Sequence, residues 1–144
     1  MAAMSDFLEN KLVDHLLRGT AYTAPGTLYV ALYTTATTDA GAGTEVPLTN
    51  NYSRASVVSS GSAWANTQAS GTGVSSGTGG VTSNSAAITF AVPSGSWGTI
   101  TNFGILSAAT GGDLLFHGAL TVQQTVNTGN TVSFAAGALQ ITFA

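Results

Sequence analysis

WGTITNFGILSAATGGDLLFHGAL, residues 97–120, contains two apolar runs separated by a Gly-Gly turn. The first, Trp97 to Leu106, and the second, Leu114 to Thr121, each suit a short strand, because apolar residues recur at alternate positions. Between them the segment 107–113 includes Gly111 and Gly112, which adopt the positive φ of a tight hairpin at no steric cost, and Asp113, which closes the turn. The same stretch holds the only aspartate of the C-terminal half and one of two histidines. Asp113 and His117 are four residues apart, so on a strand they sit about 13 Å from each other, too far for a hydrogen bond or a shared metal. The segment therefore reads as a hairpin carrying two polar groups, not as a catalytic pair.

More strands flank this hairpin. TLYVALYT (27–34) alternates cleanly, and YSRASVVSS (52–60) does so more weakly. AAITFAV (86–92) places Ile88, Phe90 and Val92 on one face, and Pro93 stops it. Gln123 to Val126, Thr131 to Phe134 and Leu139 to Phe143 are further short strands, with NTGN (127–130) as a turn. Between these lie a polar loop, TATTDAGAGTEVPLTNN (35–51), and a Ser/Gly tract, SGTGVSSGTGGVTSNS (70–85), expected to form an exposed, flexible loop at about 68–85. Short strands with frequent turn signals imply a mainly β protein, an antiparallel β-sandwich or barrel.

One helix precedes it, over 5–18. Ser5 or Asp6 can cap it, Asp6 and Glu9 occupy the first turn where the macrodipole favours acids, and Arg18 and Gly19 end it. Leu8, Leu12 and Leu16 repeat every four residues with Val13 and Leu17 beside them, which makes one stripe a candidate docking surface. That stripe packs on its own sandwich or on a neighbouring protein. The natural division is a helix and linker at 1–24 and a β domain at 25–144.

Composition narrows the function. Only 6% of the 144 residues are charged, against about 25% in ordinary soluble domains. Five of the nine charges fall between Asp6 and Arg18, and none lies between Arg54 and Asp113. The net charge of −3 and the lack of a basic cluster argue against a nucleic-acid partner. No apolar run approaches the ~20 residues of a membrane span. The N-terminus lacks the basic start and unbroken apolar stretch of a signal peptide.

Two histidines, no cysteine and no pair at ligand spacing give no basis for a metal or other cofactor. GVSSG (73–77) matches the nucleophile-elbow pattern around Ser75, but that motif needs a strand before it and a helix after it. His15 reads as a surface residue in the last helical turn. NYS (51–53) matches a glycosylation sequon, which matters only in a secreted eukaryotic protein. Tyr22, Tyr29, Tyr33, Tyr52, Trp64 and Trp97 are aromatic faces for a sugar, or packing groups of a β core, and packing is the preferred reading. No catalytic residue is assigned.

Several segments, in order, carry a resemblance: LVDHLLRGTAYTAPGTLYVALYTT (12–35), DAGAGTEV (39–46), YSRASV (52–57), ITF (88–90), WGTITNFGILSAATGGDLLFHGAL (97–120) and TVNTGNTVSFAAGALQITF (125–143). Together they resemble a family of small virion proteins of tailed bacteriophages, usually labelled tail-fibre proteins, departing from it at 59–85. The resemblance implies a structural virion protein whose partners are capsid or tail proteins. With no internal repeat for a fibre shaft and a neutral surface suited to burial in an assembly, decoration of the capsid is slightly preferred, with a homotrimer as the expected form. A short tail fibre or tail adaptor is the alternative, and a carbohydrate-binding module the rival class.

Overall fold

The computed structural model describes residues 2–68, 73–76 and 79–143. Its elements follow in order: β1 (Ala3–Met4), α1 (Asp6–Leu17), β2 (Thr27–Tyr33), β3 (Ala55–Val58), β4 (Val81–Ser83), β5 (Ile88–Thr89), β6 (Gly98–Leu106), β7 (Leu114–Val126), β8 (Ser133–Phe134) and β9 (Gln140–Thr142). Five strands form one antiparallel sheet in the order β1-β7-β6-β2-β3, and two ribbons, β4-β9 and β5-β8, accompany it. The main apolar cluster draws Val30, Leu32, Ile100 and Ile105 from the sheet and Ile88, Leu139 and Ile141 from the ribbons and their flanks. The ribbons thus cover one face of the sheet, and the chain is a mainly β sandwich headed by one helix.

The hairpin forms as the sequence predicts. β6 and β7 pair antiparallel, with Ile105 opposite Phe116 and Phe103 opposite Gly118. Gly111 and Gly112 both have positive φ, 60° and 74°. The Ser107 N–H donates to the Asp113 carbonyl at 3.0 Å, and the Asp113 N–H donates to Ser107 Oγ at 2.8 Å. Asp113 closes the turn with its backbone.

Two irregularities reshape the hairpin. One, between Ile105 and Leu106, pairs Leu106 with Leu114 and leaves Leu115 unopposed. Leu114 therefore joins Ala31, Tyr33 and Leu106 on the second face of the sheet, the face of His117, whereas simple alternation predicts opposite faces. The other falls between Ile100 and Asn102, whose partners are Gln124 and Ala119. The sequence reading placed two strands in β7, divided near residue 122; the structure has one strand of 13 residues with its register broken there. This shift lets Ile100 and Phe103, three residues apart, join one core.

Two expectations are corrected. Val92 is exposed, because β5 ends at Thr89 before the Pro93 turn. The tract at 68–85 is not a loop throughout: residues 81–83 form β4 on β9, and Asn84 is fully buried. The Asn84 amide donates to the Ala86 and Ala135 carbonyls, both at 2.8 Å, and its Oδ1 accepts from the Leu139 N–H at 2.9 Å. Residues 69–72 and 77–78, where flexibility was also expected, lie outside the described residues. Beyond what the sequence suggests, the N-terminus is built into the sheet. Ala3 and Met4 pair with His117 and Phe116.

α1 begins where its signals place it. Ser5 Oγ accepts from the Leu8 N–H and also donates to the Leu114 carbonyl, so the cap ties the helix to β7. At the other end Gly19 takes a φ of 71°. Leu8 is buried in the main core and Leu12 packs half-buried against it. The helix is docked on its own domain through the first two positions of its stripe.

Candidate functional site

Polar chemistry gathers on the second face of the sheet, beneath the loop that follows β2. Ala31, Gly104 and His117 form a cross-strand row there. A side chain at Gly104 would collide with Tyr33 and Leu114, each 2.9 Å from an added Cβ. His117 is buried, and both its ring nitrogens are engaged by the loop: Nδ1 lies 3.0 Å from Thr37 Oγ1, and Nε2 2.8 Å from Asp39 Oδ1. The Asp39 carbonyl accepts the Asp6 N–H at 3.0 Å, joining the loop to the first turn of α1.

Thr37, His117 and Asp39 present a hydroxyl, an imidazole and a carboxylate in hydrogen-bonded sequence, the ingredients of nucleophilic catalysis. Their placement is inverted for that task. Thr37 is buried and the Asp39 side chain is 61% exposed. A nucleophile must meet substrate while the acid orients the base from inside. The cluster instead holds the loop down, since neutral histidine can donate to Asp39 and accept from Thr37 at once.

A second knot lies beside it. Arg54 is 7% exposed and grips Glu45, 23% exposed, through Nε–Oε1 at 2.8 Å and Nη2–Oε2 at 2.7 Å. Its Nη1 donates to the carbonyls of Ala108 and Gly111, both at 2.7 Å, so one guanidinium ties the loop to the hairpin turn. The bond to Glu45 holds the Arg54 pKa above its ordinary value. Tyr52 donates to Glu45 at 3.2 Å and accepts the Leu32 N–H at 2.9 Å. Burial, reinforced by the Glu45 charge, pushes the phenols of Tyr52 and Tyr33 upward.

The residues singled out from sequence fare unevenly. Asp113 and His117 are not partners. The partner of His117 is Asp39, 78 residues away, beyond the reach of any spacing argument. His15 accepts the Tyr22 N–H at 3.1 Å through Nδ1. Ser75 Oγ accepts from the Thr67 N–H, and among the described residues no helix follows it. Tyr33, Tyr52 and Trp97 are buried, and Tyr52 and Trp97 pack edge to face at 5.1 Å, so the six aromatics form no common platform. Among the described residues no three His, Asp or Glu side chains are placed to hold a metal, and no helix is long and apolar enough to cross a membrane.

Three outer surfaces remain available to a partner. On α1, Leu16 is 72% and Leu17 81% exposed, with Val13 beside them. On β7, the β1 side pairs only at Phe116 and His117; among the described residues no strand covers the edge beyond, where residues 119–125 are mostly exposed and carry no charge. Beside that edge an apolar hollow of about 570 Å³ is lined by Ile100, Phe103, Leu120, Val122, Phe134 and Leu139.

Fold and surface define a small antiparallel β domain whose internal polar groups hold its loops and whose outer faces carry few charges. The family model described as podophage GP4 fiber I protein gp80 matches residues 3–142, all but the two residues at each end. The chain belongs to this family of podophage fibre proteins. A comparison with curated proteins found no match.

Proposed function

We propose that the chain is a structural component of the podophage virion, built into its fibre apparatus, and that it acts by binding other virion proteins without catalysis. The observation that carries this is the family match along nearly the whole chain. The sparsely charged outer surface, the free edge of β7 and the exposed end of α1 support it, because such surfaces suit burial in an assembly. The enclosed Thr37 hydroxyl supports a non-catalytic role. Self-association belongs to the same reading, with the sheet edge as the surface best suited to it and a trimer as the form expected from sequence.

The experiment is to count copies per particle and locate them. A small number of copies released with purified tails supports the fibre reading. Hundreds of copies on isolated capsids support the capsid-decoration reading. Mass measurement of the purified chain gives the order of self-association. A monomer that binds neither capsids nor tails would overturn the assembly reading, and binding of the isolated chain to host polysaccharide would then favour a sugar-binding module.

A further inference from the structure

Resting on the assembly reading, we infer that the hollow between the start of α1, the loop after β2 and the hairpin turn binds a cationic group, the guanidinium or ammonium end of a basic side chain from a neighbouring subunit. Three carboxylates line it: Asp6 from the first helical turn, Asp39 from the loop and Asp113 from the hairpin turn. They lie far apart in sequence and meet only through the fold. All three are exposed. Among the described residues none of them pairs with a lysine or arginine: Arg18 meets Asp14, Arg54 meets Glu45, and Lys11 lies over the Phe7 ring. His117 engages Asp39 alone. The helix start contributes about half a positive charge, a fraction of what three carboxylates present.

A second observation is independent of these charges. Tyr33 lines the same hollow and is 6% exposed, yet among the described residues its hydroxyl has no hydrogen-bond partner. The orphaned side-chain atoms that are fully enclosed are Trp64 Nε1 and Thr101 Oγ1, so the Tyr33 hydroxyl is not sealed off from the hollow. Its ring is wedged between two glycines: an added Cβ would come within 3.2 Å of it at Gly43 and 2.9 Å at Gly104. The phenol is thus held in place with its hydrogen bond unmade, and an N–H donor entering the hollow supplies that bond.

The chemistry of the site selects among cations. Among the described residues no three carboxylate or imidazole groups converge closely enough to ligate a metal ion. A guanidinium spreads five N–H donors across a plane and reaches acceptors too far apart for a metal. Phe7, Leu106 and Leu114 give apolar walls for the aliphatic stem of such a side chain. The hollow measures about 340 Å³, within the range of sites that take small ligands. An anion is repelled there, and a neutral ligand leaves the carboxylates without a counter-charge.

The test titrates the full chain with acetyl-arginine amide and follows the Ala40, Gly41 and Gly112 backbone amides by NMR. Acetyl-citrulline amide is the uncharged counterpart and calcium chloride the inorganic cation. The arginine probe should shift these signals at millimolar concentration, and the citrulline probe should bind about tenfold more weakly or worse, because it lacks the charge that strengthens each hydrogen bond. Asp6→Asn combined with Asp113→Asn should weaken the arginine probe by about tenfold, and Tyr33→Phe by a smaller factor; melting of each variant confirms folding. If wild type self-associates and Arg18→Gln or Lys11→Gln does not, the basic side chain belongs to a second copy. If those variants associate as wild type does, and the double asparagine variant no longer binds podophage particles assembled without this chain, it belongs to another virion protein. Equal binding of the arginine and citrulline probes, no shift with either, or displacement of the arginine probe by calcium overturns the inference and leaves the assembly reading standing. A wild type that neither self-associates nor binds particles sinks that reading instead.

Discussion

Arg54 is the one cation in the chain after Arg18, and the structure uses it to fasten two loops to each other. Replacing it with alanine leaves Glu45 partly buried without its partner and two carbonyls without their donor. Breaking a buried pair from one side costs about 3–5 kcal/mol; with Glu45 partly exposed, the lower end applies. Urea unfolding of Arg54→Ala should show this loss, and Arg54→Lys should recover only part of it, because lysine lacks the planar fork. Tyr52→Phe should cost about 1–3 kcal/mol by orphaning the buried Leu32 N–H. The same phenols set an alkaline limit. A tyrosine in the unfolded chain ionises near pH 10, whereas Tyr33 and Tyr52 hold their protons above that in the folded chain. The unfolded state therefore loses protons first, so their contribution is complete below about pH 10 and declines as pH rises beyond it. Tyrosinate absorbance should show these two residues titrating late and together with unfolding; titration at the ordinary value in the folded protein would refute the burial account. None of these pairings was legible in the sequence. Arg54 meets Glu45 nine residues away but Gly111 fifty-seven away, and no local pattern encodes such distances.

The elements divide by how local their causes are. The β6–β7 hairpin and α1 could be read directly because alternation, caps and turn glycines lie within a few residues of the structure they specify. β1 is two residues long and has no periodicity to detect; it exists because β7 offers an edge. β4 lies in a Ser/Gly tract, and its order comes from Ile141 across the ribbon and from the buried Asn84. β7 was broken in two by a reading that assumes uniform register, and its break is the register shift itself. Within the hairpin turn the two glycines are not equivalent. A Cβ at Gly111 meets open space, while one at Gly112 falls 2.8 Å from the Ala108 Cβ and 2.9 Å from its backbone nitrogen. Gly112→Ala should therefore destabilise by about 1–2 kcal/mol from the left-handed backbone alone, with the clash added. Gly111→Asn should cost less than about 1 kcal/mol, because asparagine tolerates that region. Thermal unfolding of the pair checks this, and equal losses at both positions would contradict the assigned turn geometry.

At the scale of the whole molecule, the sandwich with its leading helix was legible because composition and strand density determine it, but the way its parts depend on one another was not. The sequence suggests a helix and linker at 1–24 ahead of a β domain at 25–144, with the helix packed on that domain or on a neighbour. In the structure Ala2 and Leu8 are buried in the main core, Met4 pairs with Phe116, and Ser5 caps the helix while bonding to the Leu114 carbonyl. The Asp6 N–H in turn donates to the Asp39 carbonyl, so the head also secures the loop that His117 holds. Removing residues 1–24 would strip β7 of its edge partner, expose the core at Leu8 and release one anchor of that loop. Burial of Leu8 alone is worth about 2–5 kcal/mol by the cost of truncating a core leucine to alanine, against a total stability of about 5–15 kcal/mol for a domain of ordinary size. The truncated chain should therefore lose cooperative unfolding, and Leu8→Ala in the full chain should lower the melting temperature far more than Leu16→Ala, whose side chain faces solvent. A truncated chain that melts cooperatively at the wild-type temperature would mean that the head is an appendage. The exposed end of α1 would then hang on a flexible tether, and the rigid presentation of Leu16 and Leu17 to a partner would lose its structural basis.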